Sequence, residues 1–506
     1  MNKNLFNSIK VRVPKSNTFD LTHDVKMSGR MGNLIPCLTM ECVPGDEIRI
    51  KPDQLVRFAP MLAPVMHRFD VYIHYFFVPN RLSWSNWETF IKNEPTGGIP
   101  TVLVDGTLSD AQNRFLDYMG VPPWDAGTSV TATNINALPF AAYQRIYNEY
   151  YRSQQLITEV NADLIDGANP IGGLLTMRTR AWEHDYFTSA LPEPQQGDAV
   201  QLPIGEVVLK NNWNATGDTP VFVDTAGNPQ TGDVTQTITG IQTGVGPTSV
   251  PSAYDPDGTL TTEPVTINTL RRAERLQQWL EKNARAGTRY IEMLFAHFGV
   301  RSSDKRLQRP EYITGSKTPL TISEVLNTAG VDGLPQGNMA GHGVAVGGGV
   351  GGRYFCEEHG YIIGILSVLP KPVYYQGIPK TFLKSDPLDF FWPDFANIGE
   401  QEIQRQELLS YTAAPTTTFG YIPRYAEYKF MQSRVAGEFR TNLSFWHAAR
   451  ELTATPTLSQ NFIEMDSEDM NKIFAVMDDD TDQLYMHVLH NIKANRRMPV
   501  YGTPYL

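Results

Sequence analysis

The stretch FDVYIHYFFVPNRLSWSNWETF, residues 69–90, is the densest block of aromatic residues in the chain. Across residues 69–78 every side chain except Asp70 and His74 is apolar or aromatic. A half-exposed strand would alternate, so this run fits a strand covered on both faces or set at the seam of two packed layers. Pro79 and Asn80 end it. Trp84, Trp87 and Phe90 then recur every three residues, which places three rings on one face of a short helix. Two uses stay open for so much aromatic area. Either it fills the chain's own core, or Phe76, Phe77, Trp84, Trp87 and Phe90 form a surface that other copies of the chain bury. Trp392 and Phe395, in the later block DFFWPDF, are candidates for the same kind of contact.

Composition points to strands and turns. Gly 40 and Pro 35 are numerous and charged residues make up only 19% of the 506 residues, below the usual quarter. A chain of this length fits one core with large excursions. Its 43 Lys plus Arg against 54 Asp plus Glu give a formal charge of -11, so any nucleic-acid-binding patch must be local. Cys37, Cys42 and Cys356 form neither a disulfide framework nor a CxxC metal pattern. No run approaches the ~18 apolar residues that span a bilayer, and the first residues lack a signal-type apolar core. A soluble protein made in the cytoplasm, without membrane partners, is expected.

Residues 1–16 carry Lys3, Lys10, Arg12 and Lys15 without an acidic residue. They form a basic arm that either frays or crosses to a neighbour and touches phosphates. Residues 34–50 alternate on both sides of Pro44-Gly45-Asp46, as two strands about a turn, or one strand and a bend, would. Residues 96–136 resemble a long surface connection, and 139–151 show a helical period through Phe140, Tyr143, Ile146, Tyr147 and Tyr150. Between 195 and 264 a single Lys210 stands among eight acidic residues, with many Thr, Gly and Val, which predicts a β-rich excursion facing solvent. DPDG at 255–258 is a plain turn, since the ligand spacing of a calcium loop does not follow.

Residues 270–309 are basic, with Leu270, Ala273, Leu276 and Leu280 on one helical face; they suit a solvated helix, a subunit contact or a nucleic-acid-facing side. The glycines of 337–353 lack a following GK[ST] and a helix, so a flexible loop is predicted rather than a phosphate site. Cys356, Glu357, Glu358 and His359 are adjacent along a strand and therefore point to opposite faces, a poor metal set. Residues 361–368 form a buried strand, the Pro- and ring-rich segments up to 430 wrap over the core, and 440–446 close the sheet. At the C-terminus Lys493, Arg496 and Arg497 lie beside Tyr501 and Tyr505, a pattern that holds single strands by charge and stacking or merely anchors a tail. These three, with Lys3, Lys10, Arg12 and Lys15, are the DNA-facing candidates. No G-x-S-x-G, H-E-x-x-H or placed acid pair is present, so neither an enzyme nor a cofactor is expected.

HYFFVPNRLSWSNWETF, AWEHDYFTSALPEPQ, NTLRRAERLQQWLEKNARAGTRYIEMLFAHFGVRSSDKRLQRPEYI, EEHGYIIGILSVLPKPVYYQGIP and DFFWPDFANIGEQ resemble the major capsid proteins of gokushoviruses, single-stranded DNA phages of the Microviridae. The resemblance covers most of the chain. It implies a mainly β protein, a single eight-stranded viral jelly-roll β-barrel with long loop insertions containing short helices. On that basis 1–16 is the arm, 17–194 and 266–506 the two parts of the core, and 195–265 a variable insertion that protrudes at the three-fold axes and meets a host-cell receptor. It further implies a T=1 icosahedral shell of identical copies around a circular single-stranded DNA genome, with a separate small basic virion protein neutralising DNA charge. A jelly-roll carbohydrate-binding or carbohydrate-cleaving protein is the alternative, and it needs an exposed aromatic platform beside carboxylates.

Overall fold

The computed structural model describes residues 15–122, 133–198, 266–326, 339–411, 414–476 and 481–501, with Val200 and short backbone segments between 208 and 261. The chain divides into two compact units, Met1–Pro194 with Ala284–Leu506, and Gln195–Asn283.

The first unit is built on a curled antiparallel sheet. Its first strands are β1 (Asn17–Asp20), β2 (His23–Gly29), β3 (Ile35–Cys42), β4 (Glu47–Phe58) and β5 (Phe69–Pro79). A helical layer follows: α1 (Asn80–Ser83), α2 (Trp87–Ile91), β6 (Thr101–Val104), α3 (Asp110–Tyr118), β7 (Thr133–Asn136), α4 (Leu138–Ile146) and α5 (Ile171–Leu174). In the second unit β8 (Val208–Leu209) pairs with β14 (Leu260–Thr261), β9 (Phe222–Val223) with β10 (Pro229–Gln230) and β13 (Ser252–Ala253), and β11 (Val234–Thr237) with β12 (Gly240–Thr243). Most of α6 (Ile267–Ala286) belongs to this second unit, beyond the boundary at 265 that composition marks. After α7 (Tyr290–Phe298) come β15 (Glu311–Leu326), β16 (Met339–Gly348), β17 (Gly352–Phe355), β18 (Gly360–Pro370), β19 (Glu400–Gln404), β20 (Thr418–Pro423) and β21 (Leu484–Arg496).

The sheet runs β1–β21–β4–β16–β15–β5–β18–β3, with β2 also on β21 and β17 also on β4. Its curl has a local cause. One end of β15 pairs with β5 through Leu320, and the other pairs with β16 from Thr321 onward, so a single strand serves both halves. Alternate residues of β4 (Ile48, Ile50, Val56), β5 (Val71, Ile73, Tyr75, Phe77) and β21 (Val488, Ile492) converge in one core. β18 is buried at every position. Its Ile362 and Leu366 enter that core, whereas Tyr361, Ile363 and Ile365 join Phe76, Val78 and the helical layer in a second one. A third cluster, with Phe187, Tyr374, Ile403 and Phe419, lies under the β19–β20 hairpin.

Several expectations fail for identifiable reasons. The glycine-rich segment is not a loop: Met339–Gly348 is β16, paired between β15 and β4. A Cβ on Gly341 would stand 2.3 Å from the Ala63 carbonyl oxygen, and one on Gly347 2.5 Å from Thr318 Oγ1. Glycine is required there by close approach, and it leaves no side-chain alternation to read. The C-terminal segment begins as a strand, not a tail: residues up to Arg496 belong to Leu484–Arg496, a long strand paired on both sides. The turn expected at Pro44-Gly45-Asp46 is present, with Gly45 at φ 92 and β3 and β4 on either side; β3 pairs with β18 and β4 with β21, so the chain turns a corner there. Residues 101–118 are no surface connection, since Val102, Val104, Phe115 and Leu116 are buried. Gly437–Arg440 and Ser444–Trp446 are 3₁₀ turns and close nothing.

His490 is fully buried on β21, where Nδ1 meets the Tyr75 hydroxyl at 2.9 Å and Nε2 meets the Cys37 carbonyl oxygen at 2.9 Å. A neutral ring satisfies both contacts, one as acceptor and one as donor. Burial, helped by the nearby His23, pulls its pKa from 6.5 down to about 4. Unfolding thus takes up a proton between those values. The contribution to stability is complete above pH 6.5 and is lost as pH falls toward 4, roughly 3 kcal/mol in all. Calorimetry on an acid series should show this loss, and His490→Gln should flatten the slope while lowering stability at pH 7. In the glycine strand, Gly341→Ala should cost about 1–3 kcal/mol by overpacking against fixed backbone. Gly106, with nothing within 4 Å of an added Cβ, should accept alanine with a change of no more than about 0.5 kcal/mol in the same melting assay.

Candidate assembly and nucleic-acid surfaces

The opening aromatic block is spent within one copy. Phe76, Phe77 and Trp84 are buried in the chain's own cores, which corrects their assignment to a subunit interface. β5 sits between two layers, so both faces of the strand find cover in this chain. Trp84, Trp87 and Phe90 cluster with centroids 5.3–6.3 Å apart, but not on one helical face: Trp84 is in extended backbone between α1 and α2, while Trp87 and Phe90 on α2 pack half-buried against the second core. Asp166 fixes the cluster by accepting from the Gly97 N–H at 2.9 Å, Asn86 at 3.0 Å and the Trp84 indole N–H at 2.7 Å. These donors, the Gly97 N–H first, hold its carboxyl below the usual range. The block therefore offers no open platform for stacking a sugar.

The exposed rings lie elsewhere, around Trp392. Asp386 and Asp389 build a rigid frame: Asp386 Oδ1 accepts from Leu388 N at 2.8 Å, and Asp389 Oδ2 accepts from Ser385 N and Asp386 N at 2.9 Å each. Pro387 and Pro393 start the 3₁₀ turns, where a missing N–H costs nothing. Trp392 donates its indole N–H to the Pro387 carbonyl at 2.9 Å and stays 48% exposed. Phe391 stands edge-on to Tyr425 at 5.0 Å, and Lys384 lies 4.0 Å over the Tyr428 ring while pairing with Glu427 at 3.1 Å. Phe382 and Met431, at 78% and 93% exposure, line a groove that also includes Glu427, the partner of Lys384, whereas Phe395 is half-buried. Rings held by short turns keep their conformation whether or not they are covered, which lowers the entropic cost of covering them. Composition marked DFFWPDF, but Phe382 and Met431 stand alone in sequence and only the fold gathers them.

The DNA-facing candidates separate into groups. Lys3, Lys10 and Arg12 lie outside the described residues. Lys15, Lys493 and Arg497 are exposed, and the pairing of Asn17 with Arg496 brings Lys15 to the end of β21. Arg496 is not available, since it pairs with Asp46 at 3.1 Å and donates to the Glu41 carbonyl at 3.0 Å, tying down the β3–β4 corner. The same outer face carries cations that sequence reading passed over. Register sets Arg49 between Lys493 of β21 and Arg353 of β17, Lys51 opposite Asn491, and Arg57 opposite Tyr485. Lys26 on β2 faces solvent as well. Glu47 offsets part of this charge by pairing with Arg353 at 2.8 Å, and Asp53 accepts from Asn491 at 2.7 Å. Alternation in EIRIKPDQLVRF was the available signal, because its exposed phase holds Arg49, Lys51 and Arg57. The face combines Lys and Arg with exposed Tyr485 and Phe355, a surface able to hold phosphates and stack bases.

Around Cys356 the polar residues are engaged singly: Glu357 with Lys305, Glu358 with Arg81, and His359 against the Trp87 ring at 5.7 Å. Among the described residues no group of three His, Cys, Asp or Glu is placed to hold a metal, and no helix is long and apolar enough to cross a membrane.

Comparison with known proteins places these surfaces in context. Residues 8–506 match the family described as capsid protein (F protein). Capsid protein VP1 of Bdellovibrio phage phiMH2K is 35% identical, over 96% of this chain and 94% of that protein. VP1 of Chlamydia phage 1 is 30% identical, over 99% and 97%, and VP1 of Spiroplasma virus 4 is 28% identical, over 97% and 95%. Each of these relatives is named as a structural protein of a virus particle. With a match that runs through nearly its whole length, the chain belongs to the capsid protein (F protein) family, the major capsid proteins of the Microviridae.

Proposed function

We propose that this chain is the repeating subunit of a T=1 icosahedral shell around a circular single-stranded DNA genome, and that its body is an eight-stranded jelly roll. Strand order carries the proposal. Taking β2, β3, β4, β5, β15, β16, β18 and β21 as first to eighth, the first pairs with the eighth, the second with the seventh, the third with the sixth and the fourth with the fifth. That is one long antiparallel ribbon folded at its middle. Rolling it sets the eighth strand beside the third, the fifth beside the sixth and the fourth beside the seventh. Two Greek keys result, as in capsid jelly rolls.

The basic face of β4, β17 and β21 then turns inward to the genome, and a small basic virion protein supplies the charge that a chain of -11 lacks. The Trp392 patch, with Phe395 and the half-buried Trp87 and Phe90 as lesser contributors, meets a neighbouring copy. Two further features fit this role: identical subunits need self-complementary or head-to-tail apolar contacts, and exposed clustered rings are their usual anchors. Residues 195–265, acidic and poor in lysine, face outward and meet the host receptor. Synthesis and assembly take place in the bacterial cytoplasm.

Electron microscopy of the purified protein should show small closed shells, and a protein that stays monomeric at every concentration and salt would sink the proposal. The double substitution Phe390→Ser with Trp392→Ser should leave small oligomers while lowering stability by no more than about 1.5 kcal/mol, as the rings are 53% and 48% exposed and only the Trp392 hydrogen bond is lost. Trp84→Ala should instead cost about 3–5 kcal/mol by emptying the core. Arg49→Glu with Lys51→Glu should weaken single-stranded DNA binding, and the slope of log affinity against log salt should shrink by about 0.7 for each phosphate no longer neutralised. An unchanged slope would remove this face from DNA binding.

A further inference from the structure

A cavity of about 520 Å³ opens on the face of β5 and β15 that is turned away from the first core. Arg180, Trp182, Glu183, His74, Tyr151 and Tyr312 are among its walls. Its polar chemistry is one-sided. The Arg180 guanidinium lies 3.9 Å over the Tyr72 ring and donates to Ser367 Oγ at 2.7 Å, with no carboxylate within 4 Å among the described residues. Trp182 is 3% exposed, and its indole N–H finds no acceptor among the described residues. His74 meets the Tyr151 hydroxyl at 2.8 Å through Nδ1. Burial holds its pKa at about 4, so at neutral pH it is uncharged and its other nitrogen is left as a donor when the hydroxyl bonds to Nδ1. The carboxylate of Glu183 is occupied by Lys317 at 2.9 Å, by Lys371 and by the Tyr72 hydroxyl. The Arg180 cation is therefore the group of this cavity that lacks a counter-charge, and it stands among aromatic walls.

We propose that this cavity binds a sugar acid, a monosaccharide unit bearing a carboxylate, such as an acidic cell-surface glycan presents. A planar carboxylate matches the fork of Arg180, His74 borders it, and the apolar face of the sugar ring lies against Tyr151 and Tyr312. An anion is what a cation without a carboxylate partner selects. A nucleotide would satisfy the same groups, and position argues against it. Ile73 and Tyr75 of β5 enter the core that Ile50 of β4 and Ile492 of β21 also fill, so His74 faces the opposite side of that core from Arg49 and Lys493. In a single-layer shell the two faces look in opposite directions. The outward orientation rests on the proposed DNA role of the basic face; the donor chemistry does not.

Purified particles should be titrated calorimetrically with D-glucuronate, D-glucose and thymidine monophosphate. D-Glucuronate should bind saturably on the order of millimolar, with glucose at least about tenfold weaker. Arg180→Gln should weaken glucuronate at least about tenfold, and Tyr312→Ala, at an exposed ring, severalfold. Arg49→Glu should leave it unchanged. Because Arg180 touches Ser367 and Tyr72, its variant could fail to fold, and Tyr312→Ala then decides the matter. Equal binding of glucose and glucuronate, absence of saturation, indifference to Tyr312→Ala, or tighter binding of the nucleotide would each overturn the sugar-acid site. Loss of glucuronate binding with intact shells and an intact salt slope condemns only this site, whereas an unchanged salt slope in the Arg49 and Lys51 variant condemns only the DNA role.

Discussion

The pairing of β5 with β18 is the constraint on which the rest of this structure depends. Eleven residue pairs run from Phe69 opposite Pro370 to Pro79 opposite Gly360, and nearly every side chain on either strand is buried. Two adjacent strands with no polar face cannot border solvent on either side. One side must be closed by the opposite half of the sheet, and the other by α1, α3, α4 and the β6–β7 pair. The helical layer is thus a requirement of the strands, not an ornament on them. Each large side chain so covered contributes on the order of 1.5–3 kcal/mol.

The other half of the sheet is closed by two segments of opposite character. β21 is a regular alternating strand whose inward side chains meet those of β4 across a long register. β16 has almost no side chains to contribute, and it succeeds because of that. Its glycines let the backbone pass within contact of Ala63 and Thr318, where any Cβ would collide. The shared strand β15 then carries the curvature from one half to the other, and the two halves enclose a single core.

Aromatic residues and charge are both divided by this arrangement. Rings on β5 and the ring of Trp84 are consumed by folding, while those on the 3₁₀ turns around Trp392 remain outside, fixed by carboxylate-anchored turns. The net negative charge likewise hides a local excess of Lys and Arg on β4, β17 and β21. Strand pairing gathers cations from residues 15–57, 353 and 493–497, which are dispersed in sequence.

Sequence by itself determined the strands over 69–78 and 361–368, the stop at Pro79 and Asn80, the helical period over 139–151, and the capsid family. Each is written in neighbouring residues, as an apolar run, a period or an ordered motif. Only the tertiary structure decided which aromatic surface stays exposed, that the glycine segment is a central strand, that Arg496 is bound to its own corner, and that Arg49, Lys51 and Arg353 join Lys493. The physical reason is the same throughout. Burial, close approach and charge density are set by which strands lie side by side, and in a sheet those neighbours come from opposite ends of the chain.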